Sequence, residues 1–184
     1  ACSSEVSASQ IQVLLKQSEE AFRAMDIEKF SKITNNIELT EKVYDKYDTI
    51  IQKAIQKYNA KIINIIGDSF ILAFDNGESM FKATKSIFIE WDKFLFKESM
   101  NNFVRVGAHR GTIRMYRALV SGNDFNIAAR LESAAIGFDI KRKNILSITN
   151  DAYKGIKNKV IKNEFKILSK NRFSKNNEMR KRLQ

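Results

Sequence analysis

The apolar positions along this chain change their period several times, and each change marks an element. From residue 40 to 58, Val43, Tyr44, Tyr47, Ile50, Ile51, Ala54, Ile55 and Tyr58 recur at helical spacing, which predicts one long amphipathic helix. Glu41, Asp45 and Asp48 lie early in it and Lys53 and Lys57 late, the order that a helix dipole favours. The period then shortens. Lys61–Ile66 and Ser69–Phe74 are β-branched and aromatic runs separated only by Gly67 and Asp68, which predicts a β-hairpin. A second helix follows, with Met80, Phe81, Thr84, Ile87, Phe88, Trp91 and Leu95 on one side and Trp91 in the core.

The flanking segments are shorter. Residues 21–27 suit a strand with Asp26 at its end, and Ile11, Leu14 and Leu15 suit a short helix or a partly ordered lead-in over 1–19. Residues 103–108 and 113–120 read as a strand pair, 125–135 as a helix and 144–148 as a buried strand. A short helix over 151–157 and an edge strand over 164–168 complete the series. This order fits an α+β, ferredoxin-like arrangement, with helices on one face of a mainly antiparallel sheet. One catalytic-size domain over 20–170 and a basic tail over 171–184 follow from it.

Composition narrows the class. A 43% apolar content in 184 residues excludes a wholly disordered chain, and a single cysteine, Cys2, excludes a disulfide scaffold and points to a reducing compartment. No apolar run reaches the ~18–20 residues of a membrane span and no signal segment opens the sequence, so a soluble, cytoplasmic protein with no membrane partner is expected. The net charge of +11 invites a nucleic-acid reading. However, residues 166–184 hold seven basic side chains against Glu178 alone, a net +6. Such a terminus reads as a solvated end, and nucleic acid is not the expected partner.

Two carboxylates stand at element ends. If their strands are neighbours, Asp26 and Asp68 meet at one sheet edge, where paired oxygens suit a hard divalent cation that also holds phosphates. Asp68 alone reads equally as a turn residue. Asn126 and Arg130 lie four apart on one helical face, placed either to orient a hydroxyl and stabilise a charged phosphoryl group or simply to face solvent. His109, the only histidine, reads as a packing residue at a strand end rather than a base.

The combination is more specific than its parts. Ala24-Met-Asp-Ile-Glu-Lys-Phe-Ser31, Ile65-Ile-Gly-Asp-Ser-Phe-Ile-Leu-Ala-Phe74 and Val104-Arg-Val-Gly-Ala-His-Arg-Gly111 occur in that order. Ser121-Gly-Asn-Asp-Phe-Asn-Ile-Ala-Ala-Arg-Leu-Glu-Ser133 and Asn144-Ile-Leu-Ser-Ile148 follow. Over residues 20–168 the series resembles the catalytic domain of class III nucleotidyl cyclases, most specifically in the Asn/Arg helix.

The resemblance implies a set of roles. Asp26 and Asp68 would hold two divalent cations, Mg²⁺ or Mn²⁺, and the backbone amides of Ile27, Glu28, Lys29 and Phe30 would cradle phosphates. Asn126 would orient the ribose and Arg130 would stabilise charge on the α-phosphate. The implied reaction is in-line attack of the 3′-oxygen on the α-phosphorus of a nucleoside triphosphate, releasing pyrophosphate. It also implies a head-to-tail homodimer with two interface sites, metal ligands from one protomer facing the Asn/Arg pair of the other. Lys170 is the candidate for a tail lysine of the family.

The base-reading positions match Asn64 and Leu119 here. Adenylate-type members resembling this family carry Lys with Asp or Thr there, and guanylate-type members carry Glu with Cys. Neither pair is present, and Leu119 cannot hydrogen-bond a purine edge. The reading therefore leans to a pyrimidine substrate, UTP or CTP, as in the standalone bacterial cyclases of anti-phage defence. Tyr58 and Arg110 are candidate base contacts. Adenylate or guanylate cyclase activity, or an inactive cyclase-like dimer, are the alternatives.

Overall fold

The computed structural model describes residues 19–27, 36–66, 68–112, 114–116, 119–121, 123–134, 144–168 and 180–183. In chain order the elements are β1 (Glu19–Ile27), α1 (Ile37–Tyr58), β2 (Lys61–Ile66), β3 (Ser69–Phe74), α2 (Gly77–Lys97) and β4 (Val104–Thr112). There follow β5 (Arg114–Tyr116), β6 (Leu119–Ser121), α3 (Asn123–Ala134), β7 (Ile145–Ile148), α4 (Asn150–Gly155), α5 (Lys159–Asn163), β8 (Phe165–Leu168) and β9 (Arg180–Leu183).

The two long helices begin where their sequences supply a cap. The Asn36 side chain accepts the Leu39 N–H at 3.0 Å, and the Asn76 side chain accepts the Ser79 N–H at 2.8 Å. Each satisfies a donor that a helix start leaves without an internal partner. The expected apolar faces are the buried ones: Val43, Tyr47, Ile50, Ile51 and Ala54 on α1, and Met80 through Leu95 on α2. At their meeting point Trp91 is fully buried, its ring 5.3 Å from that of Tyr47. Its indole N–H donates to the Asn102 carbonyl at 3.0 Å, so the ring's one polar group is satisfied in the core.

Seven strands form one sheet in the order β2-β3-β1-β4-β7-β9-β8, antiparallel except where β4 runs parallel to β7. The central strand β4 decides how helices cover it. Val104, Val106 and Ala108 join the core beneath α1 and α2. The alternate residues Arg105 and Gly107 meet α3 instead. Helices therefore lie on both faces, and the expectation of a single covered face is corrected.

Other differences have local causes. The strand expected to end at residue 108 runs on to Thr112, because the glycines that look like interruptions are where α3 lies against it. Its expected partner is a separate two-stranded sheet, β5 with β6. The five-residue α5 is too short to show a period. Arg180–Leu183 of the basic tail is strand β9, paired with β7 and β8, so this part of the tail belongs to the sheet and not to a solvated end. The lead-in over residues 1–18, with Cys2, and the candidate Lys170 lie outside the described residues. No described helix is long and apolar enough to cross a membrane.

Asn144 ties the start of β4 to α2. Its side-chain oxygen accepts the Val104 N–H at 2.8 Å, and its amide donates to the Asp92 carboxylate at 2.7 Å. Burial raises the Asp92 pKa above its ordinary 3.8, and the Asn144 bond only partly offsets this. The folded chain thus keeps this proton at a pH where the unfolded chain releases it. Stability from this group is present at low pH and is lost as pH rises from 3.8 through the raised value. Asp92→Asn removes that loss. Melting temperatures across pH 3.5 to 7 should show the variant gaining on the parent protein as pH rises, about level at the acid end.

Candidate active site

The β1–β3 ladder ends with Met25 opposite Phe70. Asp26 is one residue beyond that pair on β1, and Asp68 is two residues beyond it in the turn between β2 and β3. On its other side Asp26 lies opposite Arg105 of β4. The fold therefore brings the two aspartates to the same end of neighbouring strands. Asp68 has Tyr44 of α1 beside it: burial first, and the Asp68 charge second, hold the tyrosine hydroxyl above its usual pKa of 10.0. Tyr44 belongs to the surroundings of this turn, although in the sequence it reads only as one more apolar-face residue of α1.

Ile27, the last residue of β1, pairs with Val104, so its backbone stands at the same sheet end. Glu28, Lys29 and Phe30 lie outside the described residues. Among the described residues no group of three or more His, Cys, Asp or Glu side chains gathers as a metal cage. Two carboxylate-bearing positions at one sheet end fit a different donor set, that of a hard cation which keeps waters and takes substrate phosphates.

Asn126 and Arg130 are exposed on α3. The helix turns about 100° per residue, and its inward residues are Ala128, Leu131 and Glu132, all buried. Asn126 and Arg130 fall on the opposite side of the helix from these three. They point away from their own sheet, and so the chain does not gather them with Asp26 and Asp68 by itself.

The base-contact candidates separate. Asn64 sits on β2 opposite Ile71, just past a bulge, and its side-chain oxygen accepts the Ile65 N–H at 2.8 Å. Leu119 opens β6, opposite Tyr116 in the small sheet. Tyr58 ends α1 just before β2 begins, at the far end of that strand from the Asp68 turn. It packs against the core with Lys57 over its ring at 5.4 Å. Arg110 is six residues along β4 from Val104, about 20 Å at the usual strand rise. It lines a cleft of 270 Å³ with Gly77, Lys154 and Lys157, away from the Asp68 turn.

The packing that holds α3 was not apparent from the sequence. A Cβ at Gly107 would overlap the Ala128 carbonyl and come within 2.5 Å of the Glu132 backbone nitrogen. Only a glycine lets the helix backbone approach β4 so closely. The signal available was the alternation Arg105, Gly107, His109, Gly111, a strand face with no apolar side chain that nonetheless lies inside the domain.

With this geometry in view, comparison with known proteins becomes informative. No protein-family model and no curated protein sequence matches the chain. Solved structures do, and the fold is that of class III adenylyl and guanylyl cyclase domains. A bacterial light-regulated adenylyl cyclase superposes with a TM-score of 0.74 at 18% identity, over 88% of this chain. The chain spans only 51% of the length of that protein. The adenylyl cyclase CyaB from P. aeruginosa gives a TM-score of 0.68 at 15% identity, over 89% of this chain and 93% of that one. The guanylate cyclase domain of RhGC from Catenaria anguillulae, in complex with GTP, gives 0.68 at 13%, over 90% and 95% respectively.

Gly107→Ala should shift α3 off its seat. Adding this one methyl against helix backbone should cost about 1–3 kcal/mol, read as a lower urea midpoint at unchanged m-value.

Proposed function

We propose that the protein is a metal-dependent nucleotidyl cyclase that converts a nucleoside triphosphate to a 3′,5′-cyclic nucleotide and pyrophosphate. The observation that carries this reading is the split arrangement: Asp26 and Asp68 at one sheet end, with Asn126 and Arg130 on the outer side of α3, in a cyclase fold. Neither half completes a site within one chain. A two-fold homodimer in which each sheet end faces the partner's α3 supplies two complete ones.

In this reading Asp26 and Asp68 hold divalent cations, Mg²⁺ or Mn²⁺. When bound, these lower the pKa of the ribose 3′-hydroxyl and neutralise the triphosphate. The chain's own groups do the positioning. Backbone amides after β1, from Ile27 to Phe30, receive phosphate oxygens. Asn126 holds the ribose so that the 3′-oxygen lies in line with the α-phosphorus, and Arg130 stabilises the charge that develops on the α-phosphoryl oxygens. The 3′-oxygen bond to phosphorus forms as the bond to the pyrophosphate leaving group breaks. Tyr44 stays protonated beside Asp68 and adds no competing negative charge.

For the base, Asn64 and Leu119 support a pyrimidine, with cyclic UMP or cyclic CMP as the product and bacterial anti-phage signalling as its setting. Asn64 presents both a donor and an acceptor, whereas Leu119 presents neither, so the purine-type pairs have no counterpart. Tyr58 and Arg110 drop out as contacts within the protomer because they stand at the far strand ends.

Incubation with Mn²⁺ and each of ATP, GTP, CTP and UTP, followed by mass spectrometry, should yield a cyclic nucleotide, most of it from UTP or CTP. No cyclic product from any of the four overturns the reading. Asp68→Ala should reduce turnover about a thousandfold, since a lost metal ligand forfeits several kcal/mol of transition-state stabilisation. The fold should survive, because Asp68 sits in a turn outside the core.

Mixing inactive Asp26→Ala and Arg130→Ala chains tests the shared site separately. A mixed dimer retains one intact site, so activity should return to about a quarter of the parent value under random pairing. Mixed dimers confirmed by native mass spectrometry but without activity would exclude site sharing.

A further inference from the structure

We propose that His109 and Arg105 are positioning residues that clamp α3 onto β4 at two points and thereby set where Asn126 and Arg130 project; this rests on the cyclase reading above. The strand face Arg105, Gly107, His109, Gly111 alternates a polar side chain with a glycine. Each polar member grips one end of α3. His109, 4% exposed, brings Nε2 to 3.4 Å from Asp124 Oδ1 in the first turn of the helix. Arg105 brings Nε to 2.8 Å from Glu132 Oε1 near the other end, with both side chains only 11–12% exposed. The approach of that second pair is oblique, so it acts as an ion pair rather than as an aligned hydrogen bond.

The spacing of the two grips matches. Asp124 and Glu132 are eight helical residues apart, about 12 Å of rise. Arg105 and His109 are four strand residues apart, about 13 Å. The helix can therefore satisfy both contacts only when it runs antiparallel to β4 in one register. The glycines remove every alternative spacer between them. Gly107 admits the helix backbone, and a Cβ at Gly111 would overlap the Asp124 carboxyl. Asn126 and Arg130 lie between the grips on the outer side, where a slide of α3 along the strand would move both at once.

The histidine is itself oriented from behind. Thr149 caps α4: its Oγ1 accepts the Ala152 N–H at 3.3 Å. The same Oγ1 lies 2.8 Å from His109 Nδ1. With the Thr149 hydroxyl donating to Nδ1, the ring proton lies on Nε2 and faces the Asp124 carboxylate. The Thr149 backbone N–H in turn donates to the Ala108 carbonyl at 3.1 Å. Strand β4, α4 and α3 are thus linked through one imidazole.

The test is His109→Leu, which keeps the bulk and removes both polar contacts, beside His109→Gln, whose amide nitrogen can still donate to Asp124. In His109→Leu, kcat should fall about 10- to 100-fold while KM for the nucleotide changes less than about threefold, and His109→Gln should recover most of it. Amide hydrogen exchange gives a second readout that does not depend on turnover: α3 amides should exchange about tenfold faster in His109→Leu with α2 amides unchanged. Parent-like kcat or unchanged α3 protection in a folded His109→Leu overturns the clamp. Should that variant fail to fold, Asp124→Ala, which removes a side chain that is itself 31% exposed, is read by the same two measurements. If the parent protein forms no cyclic nucleotide, the cyclase reading fails, and hydrogen exchange still decides the clamp.

Discussion

The close seating of α3 on β4 is the constraint from which the rest of the site follows. At Gly107 the helix backbone approaches the strand so closely that no side chain fits between them. At Gly111 a Cβ would likewise overlap the Asp124 carboxyl, so this strand face admits side chains only at Arg105 and His109, where they reach the two ends of the helix. The close seating also determines which helix residues turn inward. Ala128, Leu131 and Glu132 are buried against the sheet, and so Asn126 and Arg130 are turned outward. Polar groups on the exposed side of a firmly seated helix cost little to keep, and their direction is fixed by backbone contact rather than by their own rotamers.

The parts of the fold that could be read in the sequence are those whose signal is local. The long helices carry five or more buried residues at helical spacing, and the β2–β3 hairpin has its turn within two residues, so both were legible. The seat of α3 was not, because Gly107 and Gly111 carry no apolar mark and take their meaning from a helix some twenty residues further on. Strand β9 was hidden for a related reason. Arg180, Lys181 and Arg182 form no alternating apolar face, and their partners Ser147, Ile148 and residues 165–168 are remote in the chain. Asp26 and Asp68 were legible as a pair only on the condition that their strands are neighbours, and β1 does pair with β3. Tyr58 and Arg110 were chosen by closeness in sequence to the same motifs. Closeness in sequence does not tell which end of a strand a residue occupies, and each stands at the end away from Asp68.

The charge changes meaning with the fold as well. The net +11 is carried disproportionately by residues 166–184, yet seven of these residues lie in strands β8 and β9 and their backbone is fixed in the sheet. A fixed basic strand differs physically from a loose basic tail: it contributes a steady field around the domain and no fishing arm for a polyanion. A nucleoside triphosphate is itself a polyanion, so under the proposed reading such a field raises the encounter rate without selecting a base.

Base choice must therefore come from elsewhere, and the geometry limits where. Under the proposed reading Asp26, Asp68, the amides after β1, Asn126 and Arg130 all address the ribose and triphosphate, which every nucleoside triphosphate shares. Asn64 and Leu119, under the same reading, meet the base, and they lie in different sheets, one beside a bulge in β2 and the other at the start of β6. Specificity can then shift by substitution at these two positions, apart from the residues that address the ribose and triphosphate. An enzyme of this design can keep one reaction and change its alphabet, and for that reason the adenylyl and guanylyl cyclase likenesses reported above identify the fold and not the base.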